Sequence, residues 1–247
     1  MEMLVTTRKH SYLIDDVNLS TVESGSTIFV PAENKLYLVL TPGELTEIGV
    51  NVLSVNDLEK LTEAIAAGGN ISITGDIDAP TGFAITADTI ITNNGELTVS
   101  EDTVGDGVFK ATAGTLILNG KGTINGLGKN AYSMAVWATE NGKVVINDGY
   151  FTNIGASSDF DSEHFDLIYA SGNGQIEING GEFECETPKW ILNIKDKDRA
   201  TASIVVKGGK FHGFNPADCA VEGEHTNFVA PGYKVVEENG VFSVIAE

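Results

Sequence analysis

The sequence predicts an all-β protein, a right-handed single-stranded parallel β-helix of about five coils, and three observations carry that expectation. Four segments align: Gly114-Thr-Leu-Ile-Leu-Asn-Gly120, Gly142-Lys-Val-Val-Ile-Asn-Asp148, Gly174-Gln-Ile-Glu-Ile-Asn-Gly180 and Ala202-Ser-Ile-Val-Val-Lys-Gly208. Their last apolar residues, Leu118, Ile146, Ile178 and Val206, are separated by 28, 32 and 28 residues, and a further step of 28 back from Leu118 reaches Ile90. Within each segment apolar residues alternate with polar ones, the period of a strand. Phe151, Phe183 and Phe211 each follow a glycine corner at Gly149, Gly181 and Gly209, which adds another short strand to each repeat.

A small N-terminal module is expected over residues 1–55, with strand-like runs at Thr27–Val30 and Leu36–Leu40 broken by Pro31, Pro42 and Gly43. Its length makes independent stability doubtful without a partner, so it reads as an attachment arm. A capping helix follows over 56–69. Asn56 is placed as the cap and Glu59 as the side chain reaching back, with Leu58, Leu61 and Ile65 forming one apolar stripe and Gly68-Gly69 ending the helix.

The coils then occupy 70–232. Apolar residues about ten places upstream of the aligned positions, Val108, Val136 and Ile168, mark another strand in each repeat. Three strands per turn with no helix between them distinguish a β-helix from helical or leucine-rich solenoids. Asn119, Asn147 and Asn179 recur directly after the aligned apolar residue and are expected to stack as an amide ladder, which Lys207 ends. Residues 233–247 read as a capping hairpin turned at Asn239-Gly240.

Composition narrows the function. A formal charge of −20 with two arginines, Arg8 and Arg199, leaves little to neutralise phosphate, so neither nucleic acid nor an anionic membrane is an expected partner. Cys185 and Cys219 sit at different offsets and read as free thiols of a protein made in a reducing cytoplasm. The first residues show no signal-peptide pattern.

Few residues suggest chemistry. The repeat that is four residues longer than its neighbours carries Asp159, Asp161 and Glu163, whose alternating oxygens resemble part of a calcium site, and His164, a candidate base. The run lacks the glycine and bidentate glutamate of a calcium loop and reads as a solvated acidic loop, so no metal, cofactor or catalytic residue is assigned. Trp137, Tyr169 and Trp190 are expected on strands at related places in successive coils, where core or inter-subunit packing is the favoured use and, with His164, contact with a glycan or a partner the alternative. A polysaccharide lyase or hydrolase is the competing class, because β-helices host both. The scarcity of arginine makes a lyase site hard to assemble.

The helix-then-coil entry from Leu58 to Ile73, the Asn-Gly-Gly-x-Phe corners and the ending Asn227-Phe-Val-Ala-Pro-Gly-Tyr-Lys-Val-Val236 resemble β-helical structural proteins of tailed-bacteriophage virions. The resemblance spans 56–247. It implies a non-enzymatic capsid decoration or head fibre, commonly a homotrimer, located in the virion after synthesis in the host cytoplasm. Residues 1–50 would then bind a capsid or other virion protein, and the β-helix would project outward toward host surface glycans. A tail appendage and a stand-alone glycan-binding or polysaccharide-active protein are the alternatives.

Overall fold

The computed structural model describes residues 52–100, 107–127, 133–156 and 165–247 in full, and of the first 51 residues the backbone of five strands. The chain divides into two compact units, Met1–Ser54 and Val55–Glu247. In the first, β1 (Glu2–Thr7), β2 (His10–Asp15), β3 (Thr27–Val30), β4 (Lys35–Thr41) and β5 (Glu44–Glu47) form an antiparallel sheet in the order β2-β1-β3-β4-β5.

The second unit begins at Val55, the last residue of β6 (Val52–Val55), and continues with α1 (Leu58–Ala67). Its cap is Asp57, not Asn56. The Asp57 carboxylate accepts the Lys60 N–H at 2.9 Å and also holds the Lys60 ammonium at 2.5 Å, while Asn56 Oδ1 receives that same ammonium at 3.3 Å. The helix therefore starts one residue later than expected, because the aspartate one place nearer serves the third N–H, and Glu59 falls in the first turn without closing a box. Leu61, Ala64 and Ile65 form the buried stripe, and Gly68, at φ 70°, donates its N–H to the carbonyls of Ala64 and Ile65 to end the helix.

From Gly69 onward the strands are β7 (Gly69–Ile73), β8 (Ile77–Ala79), β9 (Phe83–Ile85), β10 (Thr89–Asn93), β11 (Glu96–Val99), β12 (Phe109–Ala111), β13 (Thr115–Asn119), β14 (Thr123–Gly126) and β15 (Val136–Ala138). They continue with β16 (Lys143–Ile146), β17 (Tyr150–Thr152), β18 (Ile168–Ala170), β19 (Gln175–Ile178), β20 (Glu182–Glu184), β21 (Leu192–Ile194), β22 (Ser203–Val206) and β23 (Lys210–His212). Consecutive strands visit three sheets in strict rotation. The first sheet runs β22-β19-β16-β13-β10-β7-β6, the second takes β23-β20-β17-β14-β11-β8, and the third runs β21-β18-β15-β12-β9. From β7 to β23 all pairing is parallel, as a solenoid-like β fold requires. The hairpin of β24 (Tyr233–Glu238) and β25 (Val241–Ala246) closes the second sheet, β25 pairing antiparallel with β23. Asn239 and Gly240 turn it with φ of 52° and 79°, both in the left-handed region a two-residue turn demands.

The register corrects two alignments. Ile91, not Ile90, pairs with Leu118, and Phe109, not Val108, pairs with Val136. Both corrections shorten the repeat there to 27 residues. Ile91 is fully buried while Ile90 is 36 % exposed, so the side-chain alternation set the register where a fixed period failed. Val108 is buried too, at the corner before β12, and could not be told from Phe109 by hydropathy.

The core stacks residue on residue along each sheet. In the first, Ile71, Ile91, Leu118, Ile146, Ile178 and Val206 lie in one inward column. In the second, Phe151, Phe183 and Phe211 are fully buried and stacked with nearly parallel rings, centroids 5.1 and 4.8 Å apart and interplanar angles of 12° and 9°. Each stacked pair adds about 0.5–1.5 kcal/mol to the burial of its rings. The corners before these phenylalanines need glycine: Gly149, Gly181 and Gly209 have φ of 124°, 98° and 103°, and a Cβ on Gly181 would meet the Gly149 carbonyl oxygen at 3.1 Å.

Candidate functional site

Outward positions follow from the same registers, because a strand residue that flanks a buried one faces solvent. On the third sheet the outward column is Ala84, Lys110, Trp137, Tyr169 and Asn193. The Lys110 ammonium lies 4.4 Å from the Trp137 ring, and the Trp137 and Tyr169 rings are 5.9 Å apart at 57°. Trp137 Nε1 donates to Ser171 Oγ at 2.9 Å, and that hydroxyl donates to Thr139 Oγ1 at 2.8 Å. Asn193 Nδ2 donates to the Asp166 carboxylate at 2.7 Å.

Trp190 is not in this column. It ends a short 3₁₀ helix, Pro188–Trp190, because Pro188 interrupts the strand pattern, and Asn193 takes the place expected for it. Trp190 nevertheless lines the same cavity as Tyr169, a cleft of about 420 Å³ shared with Asn193, Lys195 and Val221. Asp159, Asp161, Glu163 and His164 lie outside the described residues.

A second group of polar residues escaped the sequence reading. On the second sheet Tyr150, Glu182 and Lys210 occupy one outward column, with Glu184 in the next beside Thr152, which is buried. The Tyr150 hydroxyl donates to Glu184 Oε2 at 2.6 Å, and His212 Nε2 lies 2.6 Å from Glu182 Oε1. Burial first, and then the Glu184 carboxylate, push the Tyr150 phenol up to about 12, so this hydroxyl works as a hydrogen-bond donor and not as a base at neutral pH. A cavity of about 490 Å³ adjoins Tyr150, Glu182 and Lys210, with Lys121, Asp148 and Ser243 around it. The signal was present in the triplets Tyr-Phe-Thr, Glu-Phe-Glu and Lys-Phe-His: once the phenylalanines are aligned inward, the flanking residues must share an outer face.

The asparagine column forms the expected ladder. Asn147 Nδ2 donates to Asn119 Oδ1 at 2.9 Å and Asn179 Nδ2 donates to Asn147 Oδ1 at 3.0 Å. Lys207, which ends the column, pairs with Glu177 at 2.6 Å, and that hydrogen bond holds the Glu177 carboxyl below its ordinary value. A shorter ladder joins Asn173 to Asn141 at 3.2 Å.

At the end of the third sheet, β21 has no further strand to pair with, and a buried carboxylate takes that role. Glu222, 2 % exposed, accepts the Ile194 N–H at 3.0 Å, and its other oxygen lies 3.3 Å from Arg199, which also holds Asp196 at 2.8 Å. Burial raises the Glu222 carboxyl above its ordinary value. Both cysteines are free thiols and buried, and desolvation pushes Cys185 up to about 11. Among the described residues no group of three or more His, Cys, Asp or Glu side chains is placed to hold a metal ion, and no helix is long and apolar enough to cross a membrane.

No protein-family model, curated protein or solved structure matches the chain.

Proposed function

We propose that residues 70–232 close into a right-handed parallel β-helix of five coils, and that the chain is a non-enzymatic structural protein of a phage virion. In this reading it is a capsid decoration or head fibre, with the N-terminal module attached to the particle and the coils projecting as a homo-oligomer. The observation that carries the scaffold reading is the use of outward polar groups. Asn119–Asn147–Asn179, Asn141–Asn173, Glu177–Lys207, Tyr150–Glu184 and Glu182–His212 all bond along the stack, from one coil to the next. Side chains committed to one another stiffen a rod, whereas a catalytic constellation must aim its groups at a shared reacting atom. The virion assignment rests on the resemblance of residues 56–247, and contact with host glycans through Trp137 and Tyr169 belongs to the same reading.

One observation favours a second reading, a polysaccharide-active enzyme. Glu182 and Glu184 flank one buried phenylalanine beside a cavity, with Tyr150, His212 and Lys210 around them. Paired carboxylates are the machinery of glycoside hydrolysis. Incubation with neutral and acidic polysaccharides, following reducing ends and unsaturated products, separates the two readings. We expect no product above buffer; product that disappears in Glu184→Gln and His212→Ala would establish the enzyme instead.

A further inference from the structure

The outward face of the first sheet is unlike the rest of the molecule. Its central column is Ile90, Ile117, Val145, Glu177 and Val205, one residue from each of five consecutive strands in direct register. Ile90 and Val205 are each 36 % exposed, and Ile117 and Val145 are half-buried. Aliphatic residues on four of the five strands, interrupted by Glu177, make an apolar stripe, and a contiguous exposed apolar patch marks a contact. Ile90 and Ile117 also line a cleft of about 410 Å³ at one end of it.

Charge identifies the occupant. The whole chain carries −20, so two copies repel over most of their surfaces. The outward positions of the second sheet illustrate this, with Asp78, Glu96, Glu182 and Glu184. The first sheet's face differs. The central column and its two flanks, from Asp88 and Thr115 to Ser203 and from Thr92 to Lys207, contain two acids, Asp88 and Glu177, against two bases, Lys143 and Lys207, and the Asp88 carboxylate accepts the Thr115 N–H at 2.8 Å. Glu177 is moreover neutralised within its own chain by Lys207 at 2.6 Å. A like-charged copy can approach this face without a row of carboxylates opposing its own; the third sheet's column is also free of acids but presents the Trp137 and Tyr169 rings instead of aliphatic side chains. The column holds no aromatic ring on which a sugar could stack, and its flanking asparagines already bond to each other.

We propose that this face packs against the same face of another copy of this chain, about a rotation axis parallel to the direction in which the strands stack. Such an axis sets equal heights opposite each other, so Val145 meets Val145 and Ile117 meets Ile117. The inference rests on the homo-oligomer reading above and supplies its surface. Five strands span about 24 Å. A patch of that length falls at the small end of specific interfaces, so assembly is reversible and concentration-dependent.

Sedimentation velocity of the full chain across the micromolar range tests it. Wild type is expected to shift to larger species as concentration rises, and Ile117→Lys with Val145→Lys is expected to abolish that shift. The same charges added elsewhere, Ala84→Lys with Thr98→Lys, should leave assembly intact, with circular dichroism confirming the fold of both. Val145→Cys gives a readout independent of the lysine variants' folding. It should form an intermolecular disulfide under mild oxidation where Ala84→Cys does not, since both native thiols are buried. A wild type that stays monomeric, a double-lysine variant that assembles normally, or equal cross-linking of the two cysteine variants overturns the proposal. A monomeric chain still found in purified particles would remove this interface and leave the virion reading standing.

Discussion

Replacing Glu222 probes how the open end of the third sheet is closed. Its side chain is 2 % exposed and makes two kinds of contact, the hydrogen bond from the Ile194 N–H at 3.0 Å and the ion pair with Arg199 at 3.3 Å. Glu222→Ala strands the Ile194 N–H in a buried position, at a cost of about 1–3 kcal/mol. Arg199 loses less, because it is 37 % exposed, keeps Asp196 at 2.8 Å and still donates to the Glu222 backbone carbonyl. We therefore expect a loss of about 2 kcal/mol at pH 7, seen as a melting midpoint lower by about 4–8 °C. Glu222→Gln keeps an acceptor for Ile194 and removes a charge that burial disfavours, so it should match the wild type or exceed it slightly.

The pH dependence fixes the sign. The folded carboxyl of Glu222 is raised above its ordinary value by burial, against the backbone bond from Ile194 and the charge of Arg199, with Asp196 adding to the rise. A raised carboxyl contributes stability that is fully present below the unfolded value and is lost as pH rises through the folded one. Relative to Glu222→Gln, the wild type should thus gain as pH falls toward the unfolded carboxylate value, about 4.3. Urea denaturation of the three proteins at pH 4 and pH 7 is the assay. If Gln proves as damaging as Ala at pH 7, the ion pair and not the hydrogen bond closes the sheet, and the reasoning fails.

Three further outcomes are expected. Phe183→Ala, which removes the middle ring of a buried stack, should cost at least about 3–5 kcal/mol in chemical denaturation, and a loss under 2 kcal/mol would contradict the packing. Asn147→Asp keeps the acceptor for Asn179 but cannot donate to Asn119; it should destabilise by about 1 kcal/mol, whereas the same change at exposed Asn94 should have little effect. Cys185, with its thiol pushed up to about 11, and Cys219, also raised, should resist an aromatic disulfide reagent at pH 8 and react together on unfolding; prompt reaction of the native protein would show an open site.

Much of the second unit was legible because its period is simple. Aligning Leu118, Ile146, Ile178 and Val206 captured the true register of four strands, and the glycine-phenylalanine corners located β17, β20 and β23. The errors came where neighbouring residues have equal hydropathy. Ile90 and Ile91 differ only in which face they take, Val108 and Phe109 are both buried, and Asn56 and Asp57 are both competent caps. The site was less legible than the fold. Trp137 and Tyr169 meet as their spacing implied, but Trp190 belongs to a turn that a fixed period does not anticipate. The bonds Tyr150–Glu184 and Glu182–His212 run diagonally between adjacent strands, so they follow from register and not from any motif. Glu222 had no sequence signal, since its role comes from the strand that β21 lacks.

The proposed virion role meets its most direct test in particles gradient-purified from lysates of cells that make this chain, with the protein quantified by mass spectrometry against the particles' major structural protein. We expect it at a fixed, symmetry-related copy number, retained through repeated purification. Its absence from the particles, together with free protein in the lysate, would contradict the proposal that this scaffold is built into a virion.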